Sequence, residues 1–394
     1  MRNVGTIVRG IRTPIIKEGD NLEDIVIDSL IKASKSENFE FQDKDVVAIT
    51  EAVVGISEGN FATLDDIAND IKNKLNSDHI GIVLPILSRN RFAVLLSAIA
   101  RSTKKLTVLL SYPSDEVGND ILYKEDLRKY NINPFSHIID YEEYMSKFHS
   151  FVHPFTGVNM VDIYKELIEK ENCEAEIVLS NNATDILKYT NDVINCDIHT
   201  REETKRLLKE SGANVISLTD ILSKSVNNSG YNEKYGLLGS NRATEERVKL
   251  FPRTGQTLVE NIQKRLKEIT GKNIEVMVYG DGAFKDPVGG IWELADPVVS
   301  PAYTSGLEGN PNELKLKYLS ENKFKNLSGE ELNNAMREEI KNKDKNLKGT
   351  MATQGTTPRR YTDLLGSLCD LTSGSGDKGT PVVLIQNYFS NYAD

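Results

Sequence analysis

The residues best suited to chemistry form a glycine-rich acidic segment that follows an apolar run at 274–279. The run predicts a strand, and the segment Gly280-Asp281-Gly282-Ala-Phe-Lys285 leaves its carboxyl end. Strand carboxyl ends are where α/β proteins build sites, and glycines let a ligand approach the backbone. A carboxylate at Asp281 suits a hard cation such as Mg²⁺ or Mn²⁺, and the ammonium of Lys285 suits a phosphate. Asp-Gly pairs are also common in turns, so a plain turn is the alternative.

A second segment of the same form follows the apolar run at 45–50. It reads Glu51-Ala-Val-Val-Gly55-Ile-Ser-Glu58-Gly59, with two carboxylates among glycines after a predicted strand. Glu51 and Glu58 are therefore candidates to ligate a metal or to orient a substrate. The alternative is a solvated connection that leaves the strand.

Two other motifs are weaker. The chain has no G-x-x-x-x-G-K-[ST] segment, which excludes a P-loop. Its G-x-G-x-x-G segment at 374–379 follows a predicted helix and precedes a predicted strand, the reverse of the dinucleotide-binding order, so it predicts a flexible turn. His149 and His153 have the spacing of zinc ligands on a helix, but Pro154 breaks that helix and we expect no zinc there.

Composition limits the kind of protein. The 394 residues carry 48 basic and 58 acidic side chains, a net charge of 48 − 58 = −10, which argues against a general nucleic-acid or membrane-surface binder. No apolar run reaches the roughly 18 residues of a membrane span. Three widely spaced cysteines give neither a disulfide framework nor a four-thiolate zinc site. We expect a reduced, cytoplasmic protein.

Hydrophobic periodicity predicts two regions of different secondary-structure pattern along the chain. Residues 76–239 alternate strand-like runs at 80–85, 105–110, 175–180 and 214–218 with amphipathic helices at 91–101 and 200–211. This alternation favours a mainly parallel sheet covered by helices. Residues 1–75 and 240–394 mix strands at 45–50, 274–279 and 381–385 with helices at 21–34, 257–270 and 362–371. We therefore predict an α+β protein of two lobes, in which 76–239 is an inserted α/β lobe.

Five segments, in order, resemble the coenzyme F420-0:L-glutamate ligase (γ-glutamyl ligase) family. They are Pro14-Ile-Ile-Lys-Glu-Gly19-Asp20-Asn-Leu22, Val53-Val-Gly55-Ile56-Ser-Glu58-Gly59, Phe155-Thr-Gly-Val-Asn159, the helix at 257–269 with the loop Tyr279-Gly280-Asp281-Gly282-Ala-Phe-Lys285, and the final helix, glycine turn and strand at 361–385. The resemblance covers roughly half of the chain.

The resemblance implies an amide ligase that uses GTP and two divalent cations, Mg²⁺ or Mn²⁺. Such an enzyme phosphorylates a terminal carboxylate, and the amine of glutamate then attacks the acyl phosphate; coenzyme F420-0 is a named possibility for the acceptor. By the same resemblance Asp281 is a metal ligand and Glu58 lies near the nucleotide. Lys285 replaces an arginine, and the family also implies a homodimer.

We assign the catalytic roles to Lys285 and Glu58, and cofactor contacts to Glu51, Gly59, Gly280 and Gly282. The metal ligands would be Asp281, Asn159 and Asp162. This assignment, which the resemblance implies, rests on the order of the motifs rather than on any one of them.

The chain departs from the family pattern at three places. Gly55 and Ile56 stand where the family has Ser-Lys, so a cation that meets phosphate is lost. Asn159 stands where a metal-binding aspartate is usual, and Asp162 compensates if the segment is helical. A lysine at 285 gives up bidentate recognition by arginine. These departures leave two alternatives open: a non-catalytic nucleotide- or metabolite-binding protein on the same fold, and a metal-dependent phosphohydrolase.

Overall fold

The computed structural model describes residues 3–88, 91–116, 118–154, 157–280, 300–353, 359–373 and 377–394, together with the backbone of two short strands at 284–285 and 292–293. The strands are β1 (Ile7–Ile11), β2 (Val46–Thr50), β3 (Phe61–Thr63), β4 (His79–Leu84), β5 (Lys105–Leu110), β6 (Glu174–Leu179), β7 (Asp192–Asn195), β8 (Asn214–Ser217), β9 (Asn241–Arg242), β10 (Arg247–Lys249), β11 (Glu275–Tyr279), β12 (Phe284–Lys285), β13 (Trp292–Glu293), β14 (Ala302–Tyr303) and β15 (Val382–Gln386). The helices are α1 (Leu22–Glu37), α2 (Glu51–Ser57), α3 (Leu64–Leu75), α4 (Phe92–Ala100), α5 (Lys124–Lys129), α6 (Tyr141–Lys147), α7 (Met160–Lys170), α8 (Arg201–Glu210), α9 (Gly255–Thr270), α10 (Leu316–Glu321), α11 (Gly329–Lys341) and α12 (Tyr361–Ser373).

The first sheet is mixed. Its five strands lie in the order β1-β15-β2-β11-β14. β2 and β11 are parallel, whereas β15 is antiparallel to both β1 and β2, and β14 is antiparallel to β11. β1, β2 and β11 therefore run in one direction and end at the same edge of the sheet.

Helices cover both faces of this sheet. Val47 and Ile49 of β2 pack in one hydrophobic cluster with residues of α1 and α9, and Val46 and Ala48 pack in another with residues of α12. Burial on both faces explains why β2 is a continuous apolar run instead of an alternating one. A helix-capping asparagine, Asn21, accepts a hydrogen bond from the Asp24 N–H and fixes the start of α1.

The second sheet is parallel, with five strands in the order β6-β5-β4-β7-β8. Starting at β4, the chain adds β5 and β6 on one side and then β7 and β8 on the other, so the order reverses between β4 and β7. This is a doubly wound arrangement. α3, α4 and α7 contribute to the hydrophobic cluster on one face, and Leu208 of α8 to the cluster on the other.

The prediction of an α+β protein is confirmed: one sheet is parallel, and the others are mixed or antiparallel. The small antiparallel sheet has the order β3-β10-β9. In the sequence, β3 precedes the strands of the second sheet, and β9 and β10 follow them. Leu64 and Ile71 of α3 pack in the same cluster as the strands of the second sheet. The division of the chain at residues 75 and 239 stays a prediction. No helix among the described residues is long and apolar enough to cross a membrane.

Candidate functional site

One edge of the first sheet, here called the carboxyl edge, gathers the ends of all five strands. The Thr13 N–H after β1 donates to the Gly379 carbonyl oxygen (3.2 Å), and the Thr50 N–H at the end of β2 donates to the Pro381 oxygen before β15 (2.9 Å). Thr50 is also the register partner of Tyr279, the last residue of β11. Four of the five predicted segments therefore begin or end at this edge.

Glu51 is the first residue beyond β2 and lies in a buried ion pair. Its two carboxylate oxygens are 2.6 and 2.8 Å from Nζ of Lys249, the last residue of β10. The side chains of Glu51 and Lys249 are only 6 % and 7 % exposed. The alternative of a solvated connection after β2 is therefore wrong: the chain enters helix α2 at once, and Glu51 is buried.

Gly55 makes room for that ion pair. A Cβ atom at this position would lie 3.2 Å from Cγ and Cδ of Lys249 and 3.1 Å from the Leu250 carbonyl oxygen. The side chain that the family pattern would place at residue 55 is absent, and the stem of Lys249 packs there. A cation thus lies beside the second segment, although it comes from β10, 198 residues along the chain from Glu51.

Glu58 binds the backbone that precedes α9. One carboxylate oxygen accepts a hydrogen bond from the Arg253 N–H at 2.9 Å, and the other accepts one from the Thr254 N–H at 2.9 Å and one from the Thr254 hydroxyl. Thr254 is the N-cap residue of α9. A carboxylate at this position satisfies N–H groups that the helix leaves unpaired and complements the helix dipole. These contacts explain Glu58 without a nucleotide, and its predicted catalytic role stays a prediction.

The first and second segments contact each other. The Gly19 N–H donates to the Ser57 carbonyl oxygen at 3.0 Å. Gly59 has a φ of +65°, and a Cβ there would lie 2.7 Å from a carboxylate oxygen of Glu18. The positive φ therefore favours a glycine at 59, and its predicted cofactor contact stays a prediction.

Tyr279 links the fourth segment to the end of α12. Its hydroxyl is 2.5 Å from Oγ of Ser373, the last residue of α12, and both side chains are buried. Gly280 is buried at the end of β11. The predicted positions Asp281 and Gly282 lie outside the described residues. Lys285 is described only as part of the short antiparallel pair β12–β13.

Asn159 and Asp162 belong to the second sheet's side of the molecule. Asn159 is the N-cap of α7: its side-chain oxygen accepts from the N–H groups of Val161 and Asp162, and its amide donates to Tyr144, His149 and Phe151. The Asp162 carboxylate lies 2.8 Å from Nε2 of His149. The segment is helical from residue 160, as the proposed compensation by Asp162 requires, but both side chains have structural partners.

The described residues do not by themselves fit a divalent cation. Among them, no group of three or more His, Cys, Asp and Glu side chains is placed to hold a metal ion. The carboxylates of Glu51 and Glu58 are both held by protein donors. A metal at the carboxyl edge would depend on Asp281, which lies outside the described part of the chain. We therefore assign no reaction step to a metal ion.

Several residues of the carboxyl edge were not predicted from the sequence, Lys249 and Thr254 among them. Each acts on an acidic residue about two hundred positions away, so no local pattern could indicate it. The three cysteines are buried and free.

A mixed sheet with loops from five strand ends at one edge, joined to a doubly wound parallel sheet, defines an α+β protein. The family model described as F420-0:gamma-glutamyl ligase matches residues 10–387. The chain belongs to that family, and the match extends through the second sheet. A search of curated proteins finds no match.

Proposed function

We propose that the protein is a nucleotide-dependent amide ligase that joins L-glutamate, or a similar amino acid, to an acidic acceptor. Coenzyme F420-0 is the acceptor that the family suggests. The observation that carries the proposal is the family match over residues 10–387, to which four segments at one sheet edge add support. Ligase function is what the family supports; the nucleotide, the metal and the acceptor are our proposals.

The proposed reaction follows from the chemistry of carboxylates. A carboxylate is a poor electrophile at neutral pH, so phosphoryl transfer must first give it a leaving group. A carboxylate oxygen of the acceptor attacks the γ-phosphorus of GTP, which forms an acyl phosphate and releases GDP. The neutral amine of glutamate then attacks the acyl carbon, phosphate leaves, and the amine proton passes to solvent. Positioning and charge stabilisation are the main tasks left to the protein.

The carboxyl edge is the place where we expect these reactants to meet. Glu51–Lys249 puts a buried cation beside the end of β2, and Glu58 holds the start of α9 against the same loops. Gly280 leads directly into Asp281, the first residue to test as a ligand of Mg²⁺ or Mn²⁺.

We also propose that the protein forms a homodimer. Analytical ultracentrifugation at two protein concentrations tests this proposal.

The first experiment measures thermal unfolding of the full chain with GTP or ATP, each with Mg²⁺, with Mn²⁺ or with EDTA. A ligand that binds only the folded state stabilises it by about 2.7 kcal/mol at a hundred times its Kd. We expect a metal-dependent rise in the midpoint with one nucleotide, and its loss in Asp281→Ala. Asp78→Ala is the matched control, because Asp78 is exposed and pairs with Lys104 at the surface. If neither nucleotide changes the midpoint of unfolding, the ligase proposal is wrong.

Product analysis separates the alternatives. A ligase releases phosphate only when an amine and an acceptor are both present, and amide accumulates in equal amount. A phosphohydrolase releases phosphate without any amino acid. A binding protein gives the thermal shift with neither product.

A further inference from the structure

A polar pocket lies between α9 and the segment 301–308, with a volume of about 480 Å³. We call it the α9 pocket. Gln256 and Glu260 line it from α9, Tyr303 and Glu308 from the segment after β11, and Lys234 from the connection at 223–239. Its volume lies within the range of about 300–1,000 Å³ that small-molecule sites occupy.

One wall of the α9 pocket is held by hydrogen bonds. The Gln256 amide donates to a Glu260 carboxylate oxygen at 2.8 Å and to the Tyr303 carbonyl oxygen at 3.2 Å. Gln263 donates to the Ile274 carbonyl oxygen at 3.0 Å and to Glu275 at 3.1 Å. This wall is therefore preformed, which reduces the ordering cost of binding.

Groups of both charges surround Tyr303 in this pocket. Burial, followed by a hydrogen bond and charge repulsion from Glu308, raises the pKa of the Tyr303 hydroxyl, while the positive charges of Arg360 and Lys234 act in the opposite direction. Lys234 and Glu308 thus both act on the same hydroxyl group. Acidic side chains (Glu260 and Glu308) and a basic one (Lys234) therefore line the same pocket.

The α9 pocket adjoins the carboxyl edge. Pro301 follows Ser300, whose hydroxyl donates to the Val278 carbonyl oxygen at the end of β11. Gln256 lies in the first turn of α9, directly after the backbone that Glu58 binds. A ligand in the pocket would therefore lie beside the loops where we place the reactants.

We propose that the α9 pocket binds a free α-amino acid, with its carboxylate toward Lys234 and its ammonium toward Glu308. A small zwitterion matches a polar wall that carries both charges, because each end meets the opposite sign. The inference rests on the proposed function in one respect, that the bound amino acid is the amine substrate of the ligase. Its binding to the pocket is a separate matter and is measured separately.

The experiment titrates the full chain with L-glutamate by calorimetry, with and without nucleotide, and repeats the titration with Lys234→Met and Glu308→Gln. Each variant removes one charged hydrogen-bond partner, and we expect L-glutamate affinity to fall about 10- to 100-fold in each. Glutarate lacks the ammonium group, and we expect it to bind at least about tenfold more weakly than L-glutamate to the unchanged protein.

Matched controls come from the same helix. Lys264→Met and Glu268→Gln remove the same charges from exposed positions of α9 that do not line the pocket. We expect both controls to bind L-glutamate as the unchanged protein does. Equal losses in the controls and in the pocket variants would overturn the assignment, since the effect would then come from net charge.

Three further results are decisive. Absence of L-glutamate binding at millimolar concentration overturns the inference, and so does binding that both pocket variants leave unchanged. If the nucleotide shift persists in those variants while glutamate affinity falls, the inference and the proposed function both stand. If no nucleotide binds but the pocket variants still weaken glutamate binding, the proposed function fails and the pocket assignment stands.

Discussion

At the scale of single residues, the acidic side chains that the sequence singled out and the structure describes have protein partners. Glu51 pairs with Lys249, and Glu58 binds the backbone at Arg253 and Thr254. Their partners are 195 to 198 positions away in the chain. A sequence pattern can identify an acidic residue at a strand end, but it cannot tell whether that carboxylate faces a ligand or a distant part of the chain.

The buried pair gives a prediction about stability. Lys249→Met leaves the Glu51 carboxylate buried without its cation, and we expect a loss of about 3–5 kcal/mol in the free energy of unfolding. The double variant Glu51→Gln, Lys249→Met removes both charges, and we expect it to recover most of that loss. Urea unfolding of the single and double variants measures both values.

An exposed ion pair provides the comparison. Lys104 and Asp78 lie 2.7 Å apart with side chains 79 % and 76 % exposed. Lys104→Met should therefore change stability by less than about 1 kcal/mol. If Lys249→Met were equally mild, Glu51 would be accessible to solvent and the pair would not be buried as described.

At the scale of secondary-structure elements, long periodic runs were predicted well. β2, β4, β5, β6, β11 and β15 and helices α1, α4, α8, α9 and α12 all lie where the sequence places them, within a few residues. α2 was missed because a glycine and two valines within seven residues argue against a helix. β7 was missed because its four residues follow a polar stretch. Packing against the rest of the molecule, rather than local preference, fixes both.

Helix α9 ends at a glycine in the left-handed conformation. Gly271 follows the helix with a φ of +71°, its N–H donates to the Lys267 carbonyl oxygen, and a Cβ there would meet no atom within 4 Å. Only backbone strain therefore opposes a side chain, and we expect Gly271→Ala to lower the free energy of unfolding by about 1 kcal/mol.

Asparagine is the matched variant at this position, because it adopts left-handed backbone more readily than alanine does. Gly271→Asn should cost clearly less than Gly271→Ala in the same urea titration. Equal costs for the two variants would mean that lost space, and not the backbone angle, decides the residue.

At the scale of the whole molecule, the order of the five segments indicated the family but did not show which sheet each segment belongs to. Four of the five segments meet at the carboxyl edge, because β1, β2 and β11 run in the same direction and β15 returns between them. The remaining segment, the third in order, ends at Asn159 and belongs to the side of the second sheet. Sequence order cannot show to which sheet a segment belongs, since that depends on long-range strand pairing.

The second sheet has a carboxyl edge of its own, where the loop after β5 crosses over β4. The Glu116 N–H donates to the Pro85 carbonyl oxygen at 3.1 Å, so this loop reaches the end of β4, which is the neighbour of β7 where the strand order reverses. Burial raises the pKa of the Glu116 carboxyl to about 7, with further repulsion from Asp197 and Asp115, while a hydrogen bond from Thr200 opposes the rise. The three carboxylates of Glu116, Asp115 and Asp197 thus lie near one another beyond the ends of β4, β5 and β7.

The Glu116 carboxyl makes stability depend on pH in a defined direction. Its ordinary pKa is 4.5, so between pH 4.5 and about 7 the unfolded chain loses this proton while the folded chain keeps it. The folded state then binds more protons, and its stability falls as pH rises through this window.

Glu116→Gln removes the titration, so the difference in unfolding free energy between variant and unchanged protein should grow from pH 4.5 to 7 and level off above it. Because the carboxyl group is partly exposed, solvent screening holds the change to about 1 kcal/mol or less. Urea unfolding at several pH values measures it, with the exposed Glu125→Gln as control, and parallel profiles for Glu116→Gln and the unchanged protein would show that Glu116 keeps its ordinary pKa.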